Sequence, residues 1–317
     1  MNMRKTKKSI AIILGILILV AASVTTGYMI QVRTSEKQSK SVSAYKGMKN
    51  ASSQSKVEQR PESAVNNETI EQEQPAKTLV REFKDGPLKY NDKGVPILYY
   101  HSIDYEKGNE LRLPKEKFRE QMQYLKANNY TTLTLGELYE FIQNNKPIPE
   151  KSVVITFDDG YEDNYTNAFP ILKDFGFKAA VFMISSNVDN TQFKVLKSTE
   201  LKEMEENGVE IESHTVNHDK LSELSYNDQL KTLKDSKEFL GKVLNKKIDY
   251  ICYPYGMFNK DTIKASKEAG YIMGFTTVGG WADKNDGIYT LNRVYVSAFD
   301  SMEKFKRSLT NPNYDRK

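Results

Sequence analysis

The pattern of hydrophobic and polar positions divides the chain into three parts. Residues 1–30 contain a long apolar run that begins at Ile10. Residues 31–86 are rich in Ser, Gln, Lys, Asn and Glu, and their apolar residues are isolated. Such a stretch cannot bury enough surface to offset its ordering entropy, so we expect a disordered polar stalk there. Periodic apolar positions then predict one folded domain at residues 87–317.

Within the folded part, strands are expected to alternate with helices. Runs of β-branched and aromatic residues predict strands at 95–100, 153–157, 179–185, 209–213, 248–253, 271–277 and 293–297. Helical spacing of apolar residues predicts helices at 114–129, 134–144, 164–175, 198–207 and 226–244. Alternating strands and helices indicate an α/β fold of right-handed βα units around a parallel sheet or barrel. Its functional side chains should lie at the carboxyl ends of the strands.

The N-terminal part is typical of an exported protein. Four basic residues between Arg4 and Lys8 precede the apolar run, which is near the roughly 20 residues that cross a bilayer. The basic flank should stay in the cytoplasm, so the domain would be extracellular on a single-pass membrane anchor. A cleaved signal peptide, with small residues at 21–23, is the alternative and would give a secreted protein. Apolar residues that continue to Ile30 favour the anchor.

Composition excludes several other classes of protein. The formal charge of +4 over 317 residues is small, and basic residues form no stripe interleaved with aromatic ones, so nucleic acid is not an expected partner. The single cysteine, Cys252, excludes an intrachain disulfide, a cysteine-based zinc site and a lipoprotein anchor. We expect Cys252 to pack as a small apolar residue in a strand, and the domain to be a monomer.

Candidate chemistry begins where the strand at 153–157 ends. Asp158 and Asp159 follow this strand directly, and Gly160 comes next. Two carboxylates at the end of a buried strand are costly to desolvate unless a cation compensates them, and a metal ion fits that need best. Asp-Asp-Gly is also a good turn sequence, so a solvated turn is the alternative.

Two histidines strengthen the prediction of a metal site. His214 and His218 follow the strand at 209–213, and the chain has only 3 histidines. Their spacing places both imidazoles on one face if the segment turns helically. Together with Asp159 they form a His-His-carboxylate set, which suits Zn²⁺, although Co²⁺, Fe²⁺ or Mn²⁺ could also occupy it. Two solvated loop histidines are the alternative.

Three short motifs together resemble a known family. Residues 156–160 read Thr-Phe-Asp-Asp-Gly, residues 214–218 read His-Thr-Val-Asn-His, and residues 253–256 read Tyr-Pro-Tyr-Gly. In this order they resemble the first three motifs of the polysaccharide deacetylases, carbohydrate esterase family four. The resemblance covers residues 90–298 and implies a distorted (β/α) barrel. It also implies metal-dependent removal of N- or O-acetyl groups from a sugar polymer.

The resemblance implies a role for each motif residue. Asp158 is the expected general base, and the backbone N–H of Tyr255 is the expected donor to the oxyanion. The expected metal ligands are Asp159, His214 and His218. The residues expected near the substrate are Tyr253, Pro254, Trp281 and Leu291. An ordinary strand-ending turn is the alternative for 253–256, and packing is the alternative for Trp281.

Two departures from the family pattern affect the expected catalytic residues. The family's third motif usually begins with an arginine that orients the base, but Cys252 or Tyr253 holds that place here, so Arg293 is the candidate to orient Asp158 instead.

The family's fifth motif carries a histidine after a leucine, whereas Asn292 follows Leu291. The remaining histidine, His101, is the expected general acid if its strand neighbours the last one. This arrangement resembles the branch that includes the exported poly-N-acetylglucosamine deacetylases. A hydrogen-bonded structural histidine is the alternative.

The sequence therefore predicts an extracellular deacetylase whose partner is an acetylated glycan, either an N-acetylglucosamine exopolysaccharide or peptidoglycan. A non-catalytic carbohydrate-binding module of the cell wall and an O-acetyl xylan esterase are the alternatives. A paired-carboxylate glycosidase is disfavoured, because adjacent residues do not flank a glycosidic bond and because the histidines would have no role. Chelation separates enzyme from binding module, since only the enzyme would lose acetate release.

Overall fold

The computed structural model describes residues 80–314, so the predicted membrane segment and nearly all of the predicted stalk lie outside the described part. Within residues 80–314, no helix combines the length and the apolar character needed to span a bilayer. The strands are β1 (Leu88–Lys89), β2 (Ile97–Tyr100), β3 (Thr131–Thr132), β4 (Ile148–Pro149), β5 (Ser152–Asp159), β6 (Ala179–Met183), β7 (Val209–Ser213), β8 (Tyr250–Cys252), β9 (Met273–Gly279) and β10 (Leu291–Tyr295). The α-helices are α1 (Lys115–Ala127), α2 (Leu135–Asn144), α3 (Phe169–Phe175), α4 (Ser198–Glu206), α5 (Tyr226–Leu244), α6 (Lys260–Glu268) and α7 (Met302–Ser308).

The main sheet closes into a ring of parallel strands. Its order is β2, β10, β9, β8, β7, β6, β5 and β3, and an additional pairing joins β2 to β5. All of these pairings are parallel. The short strands β1 and β4 form a separate antiparallel pair. The structure therefore confirms an α/β fold with a closed parallel sheet, as the predicted barrel requires.

Two apolar clusters lie on opposite faces of this ring, because successive strand residues point to opposite sides. Ile155 and Phe157 of β5 pack in one cluster with residues of α1 and α5. Val154 of β5, together with Phe182 and Phe275, packs in the other cluster with residues of α2. The first cluster thus lies between the ring and its helices. The second fills the ring interior, which α2 covers.

Most predicted elements agree with the structure to within a few residues. The helix predicted at 226–244 is α5 with the same bounds, whereas the helix predicted at 164–175 begins as a π-helical turn, Asn164–Ala168, and continues as α3. Gly176, with φ of 69°, ends that helix as expected. The sequence did not predict α6, because its buried face consists of the small residues Thr262, Ala265 and Ser266.

The folded part begins before residue 87, the start predicted for the domain. Arg81 donates hydrogen bonds to both carboxylate oxygens of Glu137, over 2.6 and 2.7 Å. The same guanidinium donates to the carbonyl of Thr132. Glu137 also completes the capping box of α2 with Thr134. Arg81 is therefore joined to the domain through the first turn of this helix.

Candidate active site

The two adjacent aspartates are the last two residues of β5, at the carboxyl end of this strand. Asp158 is almost completely buried, and Asp159 is partly buried. The chain turns sharply here, with φ of 74° at Asp159 and 79° at Gly160. A Cβ atom at Gly160 would lie 2.0 Å from the sulfur of Met183, so any other residue would displace this side chain and would be strained by the positive φ. The motif is a turn, but it is not the solvated turn of the alternative interpretation.

Asp159, His214 and His218 converge on one point. Asp159 Oδ1 lies 3.5 Å from His214 Nε2 and 3.3 Å from His218 Nε2. The same oxygen is buried and has no hydrogen-bond partner within residues 80–314. Metal–ligand bonds of about 2.0–2.2 Å in a tetrahedral site place neighbouring ligand atoms about 3.3–3.5 Å apart. The three residues therefore fit a divalent metal ion.

A backbone carbonyl orients the first of these histidines. The Nδ1 atom of His214 lies 2.8 Å from the carbonyl oxygen of Cys252. Because a carbonyl only accepts, Nδ1 carries the proton, and Nε2 is turned toward Asp159. Burial lowers the pKa of His214, but the contacts with Cys252 and Asp159 outweigh burial, and the net shift of this pKa is upward. A proton therefore competes with a metal ion for Nε2.

The His-x-x-x-His segment is a turn, so the helical geometry expected from its spacing is wrong. Thr215 has φ of 66° and His218 has φ of 60°, both in the left-handed region that interrupts a helix. The carbonyl of Thr215 accepts hydrogen bonds from Ser185 N and Ser236 Oγ, which hold the turn. The rings of His214 and His218 nevertheless meet, with centroids 4.9 Å apart.

Arg293 on β10 lies directly against Asp158. Its Nη1 and Nη2 atoms donate to the two carboxylate oxygens over 2.9 and 2.7 Å, and its Nε donates to the carbonyl of Thr276. Burial by itself raises the pKa of Asp158, but the guanidinium outweighs burial and holds that pKa well below its ordinary value. Asp158 is therefore an ionised carboxylate that stands beside the proposed metal ligands without belonging to them.

Cys252 is buried in β8, as the sequence predicts, but it also contacts this ion pair. Its sulfur lies 3.0 Å from Arg293 Nη2 and 3.7 Å from Asp158 Oδ2. A small side chain at this position leaves space beside the carboxylate, and Arg293 enters that space from another strand. The sequence carries no local signal for the contact, because it depends on how distant strands are arranged in the ring.

His101 follows β2, which pairs with both β10 and β5. The strand of His101 therefore neighbours the last strand, β10, as the predicted general-acid role requires. Its Nδ1 atom is buried and has no hydrogen-bond partner among the described residues, which disfavours the alternative of a hydrogen-bonded structural histidine. Burial lowers the pKa of His101, although Asp158 and Asp159 oppose the shift. The general-acid role itself stays a prediction.

The residues expected near the substrate are mostly buried. The side chains of Tyr253, Pro254 and Leu291 are buried, and Leu291 belongs to the cluster inside the ring. The indole N–H of Trp281 donates to the carbonyl of Ser308 over 2.7 Å, which supports its packing alternative. The places of these four residues near the substrate stay predictions. Tyr255 is exposed, and its ring centroid lies 4.3 Å from that of His218.

Left-handed backbone is concentrated in the same region. Asp159, Thr215, His218 and Tyr255 all have positive φ, and the other non-glycine residues with positive φ in the described chain are Asn or Asp. Asparagine, aspartate and histidine tolerate this region better than most residues, whereas threonine and tyrosine rarely adopt it. The surrounding structure thus holds strained residues at the candidate site, as is common where geometry serves function.

The chain is similar to several known proteins. A family profile described as polysaccharide deacetylase matches residues 145–274. The chain is 34% identical over 245 residues to a poly-β-1,6-N-acetyl-D-glucosamine N-deacetylase of Staphylococcus epidermidis. This alignment covers 68% of this chain and 84% of the relative. It is 42% identical over 203 residues to the polysaccharide deacetylase YxkH of Bacillus subtilis, in an alignment that covers 64% of this chain and 71% of YxkH. The structure of the deacetylase PplD of Streptococcus pyogenes, in complex with acetate, matches with a TM-score of 0.65 and 32% identity over 68% of this chain and 98% of that one. This chain belongs to the polysaccharide deacetylase family.

Proposed function

We propose that the chain is a metal-dependent N-deacetylase that acts on an N-acetylglucosamine-containing polysaccharide outside the cell. The single observation that carries the proposal is the convergence of Asp159, His214 and His218 beside the separate, ionised carboxylate of Asp158. The activity named for the relative from S. epidermidis supports the choice of an N-acetylglucosamine polymer. The donor set favours Zn²⁺ among the divalent metals.

The residues divide the reaction between them. Asp159, His214 and His218 would hold the metal ion, which when bound polarises a carbonyl and lowers the pKa of water. Asp158 accepts a proton from the water that attacks the acetyl carbon. The backbone N–H of Tyr255 stabilises the oxyanion that develops on the carbonyl oxygen. His101 gives a proton to the nitrogen as the C–N bond breaks, which leaves acetate and a free amine.

The buried ion pair favours an enzyme over a carbohydrate-binding module. Burying Arg293 and Asp158 requires desolvating both charges, which the attraction between them repays only in part. A module that only binds glycan has no use for a buried base held ionised next to a metal site. An O-acetyl xylan esterase would use the same residues, and the substrate alone distinguishes it.

Acetate release by the purified full chain tests the proposal. The substrates are a β-1,6-linked N-acetylglucosamine oligomer, peptidoglycan and acetylated xylan, each with and without a chelator. We expect chelator-sensitive release from one of the first two substrates. Release from xylan alone would assign the esterase instead, and glycan binding without any release would assign the binding module.

We also propose that residues 1–30 anchor the chain in the cell membrane with the domain outside. The basic flank and the apolar run of the sequence support this orientation. Protease added to intact cells should remove the domain while the chain fractionates with membranes. A chain found only in the medium would instead indicate that the segment is cleaved.

A further inference from the structure

The loop that carries His101 is held by the segment directly after the Asp-Asp-Gly turn. Asp163 accepts hydrogen bonds from Ser102 Oγ and from Ile103 N, both over 2.6 Å. Asp163 occupies the N-cap position of the π-helical turn, yet its side chain caps nothing. Its carboxylate instead reaches across to a different loop, so local helix stability does not account for this residue.

Two asparagines of the same segment hold the same loop by its carbonyls. Asn164 Nδ2 donates to the carbonyl of His101 over 2.8 Å, and Asn167 Nδ2 donates to that of Ile103 over 2.9 Å. Asn164 is buried. Both asparagines belong to the π-helical turn, a rare conformation that is frequent at functional sites. Together with Asp163, they hold the backbone of residues 101–103, and Ser102 also bonds through its own backbone to Leu111 and Leu113.

The Nδ1 atom of the His101 imidazole does not help to hold the ring, because it is without a hydrogen-bond partner among residues 80–314. The ring makes edge contacts with Tyr99 and Tyr295, at centroid distances of 6.0 and 6.3 Å. The anchored backbone of residues 101–103 therefore contributes to the placement of the ring.

We propose that Asp163 and Asn164 are positioning residues that set the placement of His101 against the leaving nitrogen. The inference rests on the proposed function, in which His101 is the general acid. Residues 158–164 then form one continuous segment that contains the base Asp158, the metal ligand Asp159 and the two residues that position His101. Proton transfer is sensitive to placement, since a displacement of about 1 Å can reduce a rate by about a hundredfold.

Asp163→Asn tests the proposal with little change in volume. The amide retains one accepting oxygen, so one of the two donors, Ser102 or Ile103, loses its partner. Two substrates separate positioning from general damage. An N-acetylglucosamine oligomer needs a proton on its leaving amine, whereas 4-nitrophenyl acetate releases a phenolate that needs none.

For Asp163→Asn we expect kcat on the oligomer to fall by about ten- to a hundredfold. Hydrolysis of the aryl ester should stay within about twofold of wild type, with unchanged metal content. The double variant with His101→Ala should be no slower on the oligomer than His101→Ala alone, because both changes remove one function. Equal losses on both substrates, independent losses in the double variant, or unchanged oligomer hydrolysis would each overturn the proposal.

Two further variants complete the test. Asn164→Asp keeps the size of the side chain but removes the donor to the His101 carbonyl, and it should show the same difference between substrates. Asp104→Asn makes the same chemical change on the same loop, at a side chain that is 51% exposed and pairs with Arg112, and it should leave both rates unchanged. Wild-type acetate release tests the proposed function separately, since it does not depend on either variant.

Discussion

Replacing Arg293 by methionine probes the ion pair at the centre of the site. Methionine keeps an unbranched chain but removes the charge and both hydrogen bonds to Asp158. The side chain of Arg293 is 0% exposed, so Asp158 would lose its charged partner in a site shielded from bulk solvent. Removing one partner of a buried ion pair costs about 3–5 kcal/mol of folding stability. We expect Arg293→Met to reduce the free energy of unfolding by about this amount.

The same change should alter the pH dependence of catalysis. In wild type the guanidinium holds the pKa of Asp158 below its ordinary value, against burial, which raises it. The pair therefore stabilises the fold above the unfolded-state pKa, and that stabilisation is lost as the pH falls through the folded-state value. Without Arg293 burial acts unopposed, the pKa rises, and less of the base is ionised. The acidic limb of the profile of kcat/KM should move to higher pH.

Urea unfolding and the pH profile of acetate release measure both effects. Arg119→Met is a matched control, because this arginine is 46% exposed and pairs with Asp174 over 2.8 Å. A surface pair contributes about 0–1 kcal/mol, so the control should change stability little and the pH profile not at all. If Arg293→Met unfolds at the same urea concentration as Arg119→Met and keeps the wild-type profile, the reasoning about the buried pair is refuted.

Three further predictions follow from other parts of the structure. Asp158→Asn should abolish turnover while metal content stays at the wild-type level, whereas His214→Ala should abolish turnover and remove the metal. Metal analysis and acetate-release assays on the two variants test this prediction. Burial raises the pKa of Glu210 from 4.5 to about 8. Between these two values the folded state keeps a proton that the unfolded chain releases, so the free energy of unfolding measured with urea should fall as the pH rises. Glu210→Gln should flatten that dependence, and an unchanged slope would contradict it. Gly160→Ala should lower the free energy of unfolding by about 1–3 kcal/mol, through positive φ and contact with Met183; wild-type stability would argue against the strain.

The parts of the fold predicted from sequence are those encoded locally. The run that ends at Asp158 is a strand because its β-branched residues suit a buried sheet, and α5 has a long amphipathic pattern. The neighbourhood of His101 could be foreseen because the chain has only 3 histidines and a barrel joins its first and last strands. The contact between Arg293 and Asp158 agrees with the orienting partner proposed for the base.

Other features of the site depend on long-range packing and could not be predicted. The turn at Thr215 has a left-handed conformation that a β-branched residue rarely adopts, so the spacing of the histidines suggested a helix. The motifs place Tyr253 and Leu291 near the substrate, but they do not show that both side chains are fully buried in the strand register. The anchoring of the His101 loop by Asp163 joins residues 60 positions apart in the chain.

The central claim is that Asp159, His214 and His218 hold one metal ion on which acetyl hydrolysis depends. Metal content and acetate release, measured together on the purified full chain before and after chelation, test it most directly. The account predicts about one divalent ion per chain, loss of acetate release with the ion, recovery on adding Zn²⁺, and no recovery in His214→Ala. Full acetate release from the metal-free protein would contradict it.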